Sequence, residues 1–356
     1  MDFDLSDDRR MLDDTLRRWL SDRYPVAHRT AVAYDPPFHD AESWTGLADL
    51  GVLGALVGAD CGGYGGTGFD IAAVFNALGR SRGPDPVLPA RLSARILAAA
   101  GEDLVALFSG RTRYALAIGE PDAPFASFAT RAVQDGQGWR LTGRKSVVYG
   151  GGVADRLLVA ALAGGGPAVF EVGPGDAEII SYGMIDGGNA AELFLDRTPA
   201  RLLLPDAQTV LEDAVEHGSL ALCAESVGAM ETAADMLLDY LKTRRQFGRP
   251  IGSFQALQHR MVDLATEIEQ ARSITILAAS RMGTQQQSRT VSMARNLTDR
   301  TAKRVAEELI QMHGGIAMTW EHPASHYAKR LVMIGHQLGD ADYHLKRVME
   351  GARGDD

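Results

Sequence analysis

Cysteine is nearly missing: Cys61 and Cys223 are the only two in 356 residues. Two thiols build neither a disulfide framework nor a cysteine-ligated metal cluster, so no metal site is expected, and the scarcity suits a reducing cytoplasm. Each reads first as a small buried hydrophobe. Positive charge is also short, with 36 Lys and Arg against 46 Asp and Glu. A net charge of −10 argues against nucleic acid or an anionic membrane as the main partner, while leaving room for a local basic site. No apolar run reaches transmembrane length. The start, MDFDLSDDRRMLDD, is acidic and lacks an apolar core, so it does not read as a signal peptide. Internal repeats, low-complexity linkers and a phosphate loop ending in Lys-Ser/Thr are missing too.

What remains is ordinary globular composition, 46% hydrophobic and 23% charged, in a chain long enough for a large core. Its periodicity changes twice. Residues 1–110 read as an N-terminal helical domain. Ser6 is placed to cap a first helix whose apolar face is Met11, Leu12, Leu16, Trp19 and Leu20. Trp44, Leu47, Leu50 and Leu53 continue the pattern to a glycine loop, Gly62 to Gly66, and Asp70–Leu78 and Leu92–Ala100 read as further helices. That loop reads as plain turn chemistry before a phosphate cradle. Residues 111–205 hold short β-like runs separated by Gly- and Asp-rich turns, which predicts a small antiparallel barrel or sandwich. Residues 206–356 return to a helical period and read as a C-terminal four-helix bundle, its last helix over Asp340–Met349. The fold class is α+β, mostly α.

The densest stretch is LKTRRQFGRPIGSFQALQHR, Leu241 to Arg260. Arg244 and Arg245 close one helix, Gly248 and Pro250 break it, and Ser253 is placed to cap the next from Phe254. Two readings fit. One is an ordinary helix–helix connection with a solvated basic pair. The other is a place to hold an anion beside a flat ring, with guanidinium for phosphate and helix N–H groups for the rest.

The run from Arg244 to Gln255, R-x-Q-F-G-x-P-I-x-x-F-Q, resembles the signature of the acyl-CoA dehydrogenase family. Gln311 to Pro323, QMHGGIAMTWEHP, resembles that family's Q-x-x-G-G segment, and Asp49 to Gly66 resembles its N-terminal glycine loop. The three stand in the family's order across nearly the whole chain. The resemblance implies FAD as cofactor and oxidation of the Cα–Cβ bond of an acyl-CoA, with a carboxylate taking the α-proton. It implies an electron-transfer flavoprotein as the next electron acceptor. It also implies that the flavin's pyrophosphate and adenosine end is held by a neighbouring subunit, here through Arg244, Gln246, Phe247, Gln255, Gln311, Gly314 and Gly315. Each of these also has a structural reading: Gly314 and Gly315 as a helix end, Phe247 as core.

Other positions depart from the family pattern. Gly119-Glu120-Pro121-Asp122-Ala123-Pro124-Phe125 stands where relatives carry T-E-P-x-x-G-S-D against the flavin ring. Val147 replaces their tryptophan, and Tyr149 stands where a threonine is usual. Gly339 occupies the place of the catalytic glutamate. Asp340 is adjacent, turned away by one helical step of roughly 100°. Some relatives carry the base on the preceding long helix, at about Gly218 here, flanked by Glu216 and Glu225. Glu225, on an apolar stretch, is either a base or a buried carboxylate paired with an arginine. The half that serves a neighbour's FAD is kept and the half that holds a flavin ring and base is eroded. That pattern leads to one subunit of a heterotetramer whose longer acyl-CoA dehydrogenase partner supplies the glutamate. Small subunits of this kind act on steroid side-chain, ring or dicarboxylic acyl-CoAs. The alternatives are a homomeric dehydrogenase with a relocated base, Asp340 or Glu225, and a non-catalytic structural subunit. Acyl-CoA oxidases and flavin-dependent hydroxylases share the architecture and fit less well.

Overall fold

The computed structural model describes residues 7–121, 125, 127–136 and 138–353. Ser6 lies outside them, as do Asp122, Ala123 and Pro124. Helices come first: α1 (Asp7–Arg23), α2 (Val26–Tyr34), α3 (Ala41–Asp49), α4 (Val52–Ala55), α5 (Gly68–Ser81), α6 (Val87–Ala99) and α7 (Val105–Phe108). Strands follow: β1 (Tyr114–Ala117), β2 (Arg131–Asp135), β3 (Gly138–Tyr149), β4 (Arg156–Ala163), β5 (Gly166–Val172), β6 (Glu178–Gly183) and β7 (Asn189–Leu204). The chain ends with α8 (Gln208–Thr243), a short pair β8 (Arg245–Gln246) and β9 (Arg249–Pro250), α9 (Gln255–Arg281), α10 (Gln287–His313), α11 (Pro323–Ile334) and α12 (Ala341–Arg353). Helices, a β region and helices again, in that order, agree with the expected fold class. None of the described helices is long and apolar enough to cross a membrane.

Two compact units share the chain. One is built from Met1–Val26, Gly68–Gly83 and Ser219–Asp356, the other from Ala27–Thr67 and Pro84–Gly218.

In the first unit α5 is held by glycine contacts. A methyl group on Gly79 would strike the backbone of Glu225 on α8, and one on Gly228 of α8 would strike the backbone of Asn76. At the start of α5, Gly68 meets the backbone of Ala279 on α9 in the same way. Hydrogen at Cα lets these helices touch backbone to backbone. α1 then docks on α5 through Arg9 to Asp70 (2.7 Å) and Arg17 to Asn76 (3.1 Å). Leu16 and Leu20 of α1 are buried as expected, whereas Met11 is 66% exposed. The bundle core runs through Met230, Leu237, Leu264, Ile268, Val305, Leu309 and Leu331. α11 is a helix the periodicity did not separate. It starts on Pro323, with the His322 ring accepting the Ala324 N–H at 3.3 Å.

In the second unit the sheet closes on itself, since β4 pairs with both β2 and β5. Most pairings are antiparallel, but β1–β4 and β2–β4 are parallel. The β2–β3 hairpin lies between β1 and β4 in sequence and supplies the crossover that a parallel pair needs. Trp139–Leu141 and Ser146–Tyr149, which read as separate runs, belong to the single strand β3. Its register with β7 shifts between Leu141 and Gly143 and again between Lys145 and Val148. Glu120 braces this strand from below. Its carboxylate takes the buried Lys145 Nζ at 2.6 Å and the amides of Ala129 and Thr130 at 2.6 and 3.1 Å.

Gly228→Ala and Gly79→Ala are each expected to destabilise the protein by about 1–3 kcal/mol, through overpacking that outweighs alanine's helix propensity. Urea unfolding measures this. A gain in stability from either change would show that the helices do not touch there.

Candidate functional site

The arginine-phenylalanine turn is a two-residue hairpin. β8 and β9 pair across Phe247 and Gly248, whose φ values of 52° and 79° make a left-handed turn of the type that joins tight hairpins. Phenylalanine is a costly residue there. Its ring is 90% exposed and sits edge-on to Phe254, with centroids 6.2 Å apart. Arg245 Nη2 donates to the Gly248 carbonyl at 2.9 Å, and the Arg249 guanidinium lies 4.1 Å over Phe254. Ser253 does not cap the next helix. It sits in a 3₁₀ turn, donates to the Pro250 carbonyl at 2.7 Å, and leaves Phe254 as the N-cap of α9 without a side-chain cap bond.

The second glycine motif lies at the same end of this bundle. Tyr240, near the end of α8, stacks on His313, the last residue of α10, with ring centroids 4.6 Å apart. Gly314 ends α10 at φ 72°, and a methyl group on Gly314 or Gly315 would meet nothing within 4 Å. Within the described residues, then, Gly315 is not small because of packing. Arg244, Gln246, Gln255 and Gln311 are exposed, and their side chains make no hydrogen bond among the described residues. Beside Arg245 and Arg249, these residues therefore offer a further cation, three amides, an open glycine backbone and an uncovered aromatic ring. Exposed Ile316, Met318 and Trp320 border it.

The candidate bases are both engaged. Asp340 is the N-cap of α12, its Oδ1 accepting the Tyr343 N–H at 2.8 Å. Glu225 is buried and pairs with Arg330 Nε at 2.6 Å, and the same guanidinium reaches Gln337 Oε1 at 3.1 Å. Gly339 has φ 91°, and a side chain there would run into the ring of Tyr343. The turn holding Gly339 hangs on one fully buried guanidinium. Arg295 Nη2 donates to the carbonyls of Ile334, Gln337 and Gly339 at 3.1, 2.9 and 3.2 Å. Asp299, one turn along α10, stands 2.9 Å from Arg295 Nη1. Burial pushes the Asp299 carboxyl up to about 6 against the pull of Arg295. Arg295, Asp299 and Tyr343 were not singled out from the sequence. The i,i+4 spacing of an arginine and an aspartate on α10 was the available signal for the first two.

On the β region, Val147 has φ 50°, a genuine outlier for a β-branched residue. Glu192 holds it there, accepting the Val147 N–H (3.1 Å), the Ser146 hydroxyl (2.7 Å) and the Tyr182 hydroxyl (3.1 Å).

Two family models match this chain. Acyl-CoA dehydrogenase, N-terminal domain, covers residues 6–103, and acyl-CoA dehydrogenase, C-terminal domain, covers residues 208–352. The acyl-CoA dehydrogenase IpdE2 of Mycobacterium tuberculosis is 31% identical over 91% of this chain and 91% of its own length. A chain of the ChsE4-ChsE5 complex from the same organism superposes with a TM-score of 0.90 at 28% identity, covering 99% of both. A chain of Tcur3481-Tcur3483, a steroid ACAD, gives a TM-score of 0.89 at 30% identity over 98% of both.

The buried Asp299 makes stability depend on pH. Its folded pKa, about 6, is above the ordinary 3.8, so the fold binds an extra proton between those values. The contribution is complete below the unfolded value and is lost as pH rises through 6. Asp299→Asn removes it. The stability of Asp299→Asn relative to the parent should therefore rise by up to about 3 kcal/mol between pH 4 and pH 7, as read by urea unfolding at each pH. A difference that does not change with pH would rule the buried acid out.

Proposed function

This chain belongs to the acyl-CoA dehydrogenase family, and we propose that it works as one subunit of a mixed tetramer with a longer partner of the same fold. The family is FAD-dependent. When bound, FAD supplies the acceptor for the hydride leaving an acyl-CoA thioester. The residues at the hairpin fit its phosphate and adenosine end. Arg244 is a free cation for a diphosphate, and Gln246, Gln255 and Gln311 are unspent donors and acceptors. Gly314 and Gly315 leave their backbone open to close approach, and Phe247 offers a bare flat face.

The ring end fits poorly. Val147 has no flat face to set against a flavin ring, and its amide is already spent on Glu192. The observation that carries the reading is at Gly339, where the room for a glutamate side chain is filled by Tyr343. With Asp340 capping α12 and Glu225 bound to Arg330, neither candidate carboxylate is free among the described residues. The partner then supplies the base, and this chain supplies the surface that holds the far end of the cofactor. ChsE4-ChsE5 is a complex of two differently named chains, and Tcur3481-Tcur3483 is a steroid ACAD. Both support a mixed assembly, and the second supports a steroid-derived acyl-CoA as its substrate, with electrons passed to an electron-transfer flavoprotein.

Co-expression with a longer family member, followed by native mass and flavin absorbance, tests this. The expected result is two flavins per four mixed chains and none on this protein alone. Arg244→Ala and Gln311→Ala in the mixed complex should each weaken FAD retention about tenfold or more without dissociating the chains. A homotetramer of this chain with one FAD per subunit and activity of its own would overturn the proposal.

A further inference from the structure

A cavity of about 290 Å³ opens among α1, α5, α8 and α9, wholly within the first compact unit. The glycine contacts at Gly79 and Gly228 hold α5 and α8 close, and the alanines beside them are too short to fill the space that is left. One side of the cavity is apolar: Phe69, Ala72, Ala73, Ala224, Val227 and Ile276. The other is charged, with Arg17, Arg80 and Arg272 facing it together with Asp13, Asn76 and Glu231.

Asn76 Oδ1 accepts from Arg17 Nη2 at 3.1 Å and from Arg80 Nε at 3.3 Å. Glu231, 9% exposed, takes Arg80 on one carboxylate oxygen and has Arg272 Nη2 at 2.5 Å from the other. These two bridges set the three guanidiniums in one row. Asp13 holds Arg17 Nε at 2.8 Å. Three cations thus line the cavity with two carboxylates. Arg272 also reaches Glu269 at 3.3 Å, but that carboxylate is 66% exposed and is not part of the cavity wall, and a solvated pair of this kind contributes little. The acceptors are mostly spent: both oxygens of Glu231, the Asn76 oxygen, and the Thr275 hydroxyl, which turns back to the Ala271 carbonyl. The donors are not. Asn76 Nδ2 and the Nη1 groups of Arg17, Arg80 and Arg272 make no hydrogen bond among the described residues.

We infer that this cavity binds a small free carboxylate carried on a short apolar body. Unspent donors and one surplus positive charge call for a ligand that accepts and does not donate. The apolar wall calls for a body, which a hydrated phosphate or sulfate lacks, and their second charge would exceed the surplus. At roughly 30 Å³ for each water-sized position, the space takes roughly ten non-hydrogen atoms, several times too few for a coenzyme A ester. The site is therefore separate from the acyl-CoA reading above, and none of the hairpin or Gly339-turn residues lines it.

The test is a ligand-observed NMR titration of the full chain with 3-methylbutanoate, its neutral amide 3-methylbutanamide, and inorganic sulfate. The carboxylate should bind about tenfold tighter or more than either of the others. Arg272→Gln leaves Glu231 its bond to Arg80, so no buried carboxylate is stranded, and should bring the carboxylate level with the amide. Ala72→Leu fills the cavity without changing a charge and should abolish binding of both; Ala72→Val serves if the leucine variant does not fold. Equal affinity for carboxylate and amide, no binding to the parent, or parent-like binding to either variant overturns the inference. Sulfate bound as tightly as the carboxylate overturns it too, because the row of arginines is then a patch for any anion. In the mixed complex the affinity should be unchanged, and its loss there would assign the cavity to a partner side chain in place of a free ligand.

Discussion

A charge taken out of water has to be met inside by opposite charge or by aligned carbonyls, and much of this molecule is arranged around that requirement. Arg295 shows it most fully. One buried guanidinium gathers three carbonyls from the turn between α11 and α12, and so fixes the backbone at Gly339, the position that the sequence resemblance sets against a glutamate. Glu225 and Arg330 tie α8 to α11 by the same principle. In the β region, Glu120 and Lys145 fasten the loop before β2 to the middle of β3. Removing one member of any of these pairs leaves the other stranded, so the positions are less free to drift than their lack of direct chemistry suggests.

The two ends of the C-terminal bundle have been treated in opposite ways. At the hairpin, polar side chains are left to solvent and glycines are left uncrowded, so both stay available to a ligand. At Gly339 everything is spent: φ is left-handed, the space is filled by Tyr343, and the nearest acid is committed to a helix cap. The same family scaffold thus holds one surface open and has closed another.

The helical stretches and the change to a β region were legible because periods of 3.6 and 2 are local. The limits of the strands were less so. β3 reads as two runs because Gly143, Arg144 and Lys145 interrupt its apolar pattern, although they lie within one strand whose register with β7 shifts at Gly143 and again between Lys145 and Val148. α11 was not separated from its neighbours, although Pro323 marks its start. Among the site residues, those on the hairpin and the second glycine motif are contiguous in sequence, and the structure brings the two motifs to one end of the bundle through Tyr240 and His313. Glu225 was singled out, but its partner lies 105 positions away, and no local pattern joins them. The filling of Gly339 by Tyr343 depends on the φ angles of Leu338 and Gly339, which the packing around Arg295 decides.

The backbone contact between α5 and α8 also bears on how the protein is made. The Tyr327 hydroxyl on α11 donates to the Arg80 carbonyl at the end of α5, across 247 positions of chain. The segments Met1–Val26 and Gly68–Gly83 share a compact unit with residues that leave the ribosome last. At about 5–20 residues per second, α5 waits on the order of ten seconds or more for α8 and α11. Pro84–Gly218, which holds the whole sheet, is continuous and has its own partners as soon as it emerges. During synthesis, therefore, the β region has its partners while α5 still exposes the face that carries Gly68 and Gly79.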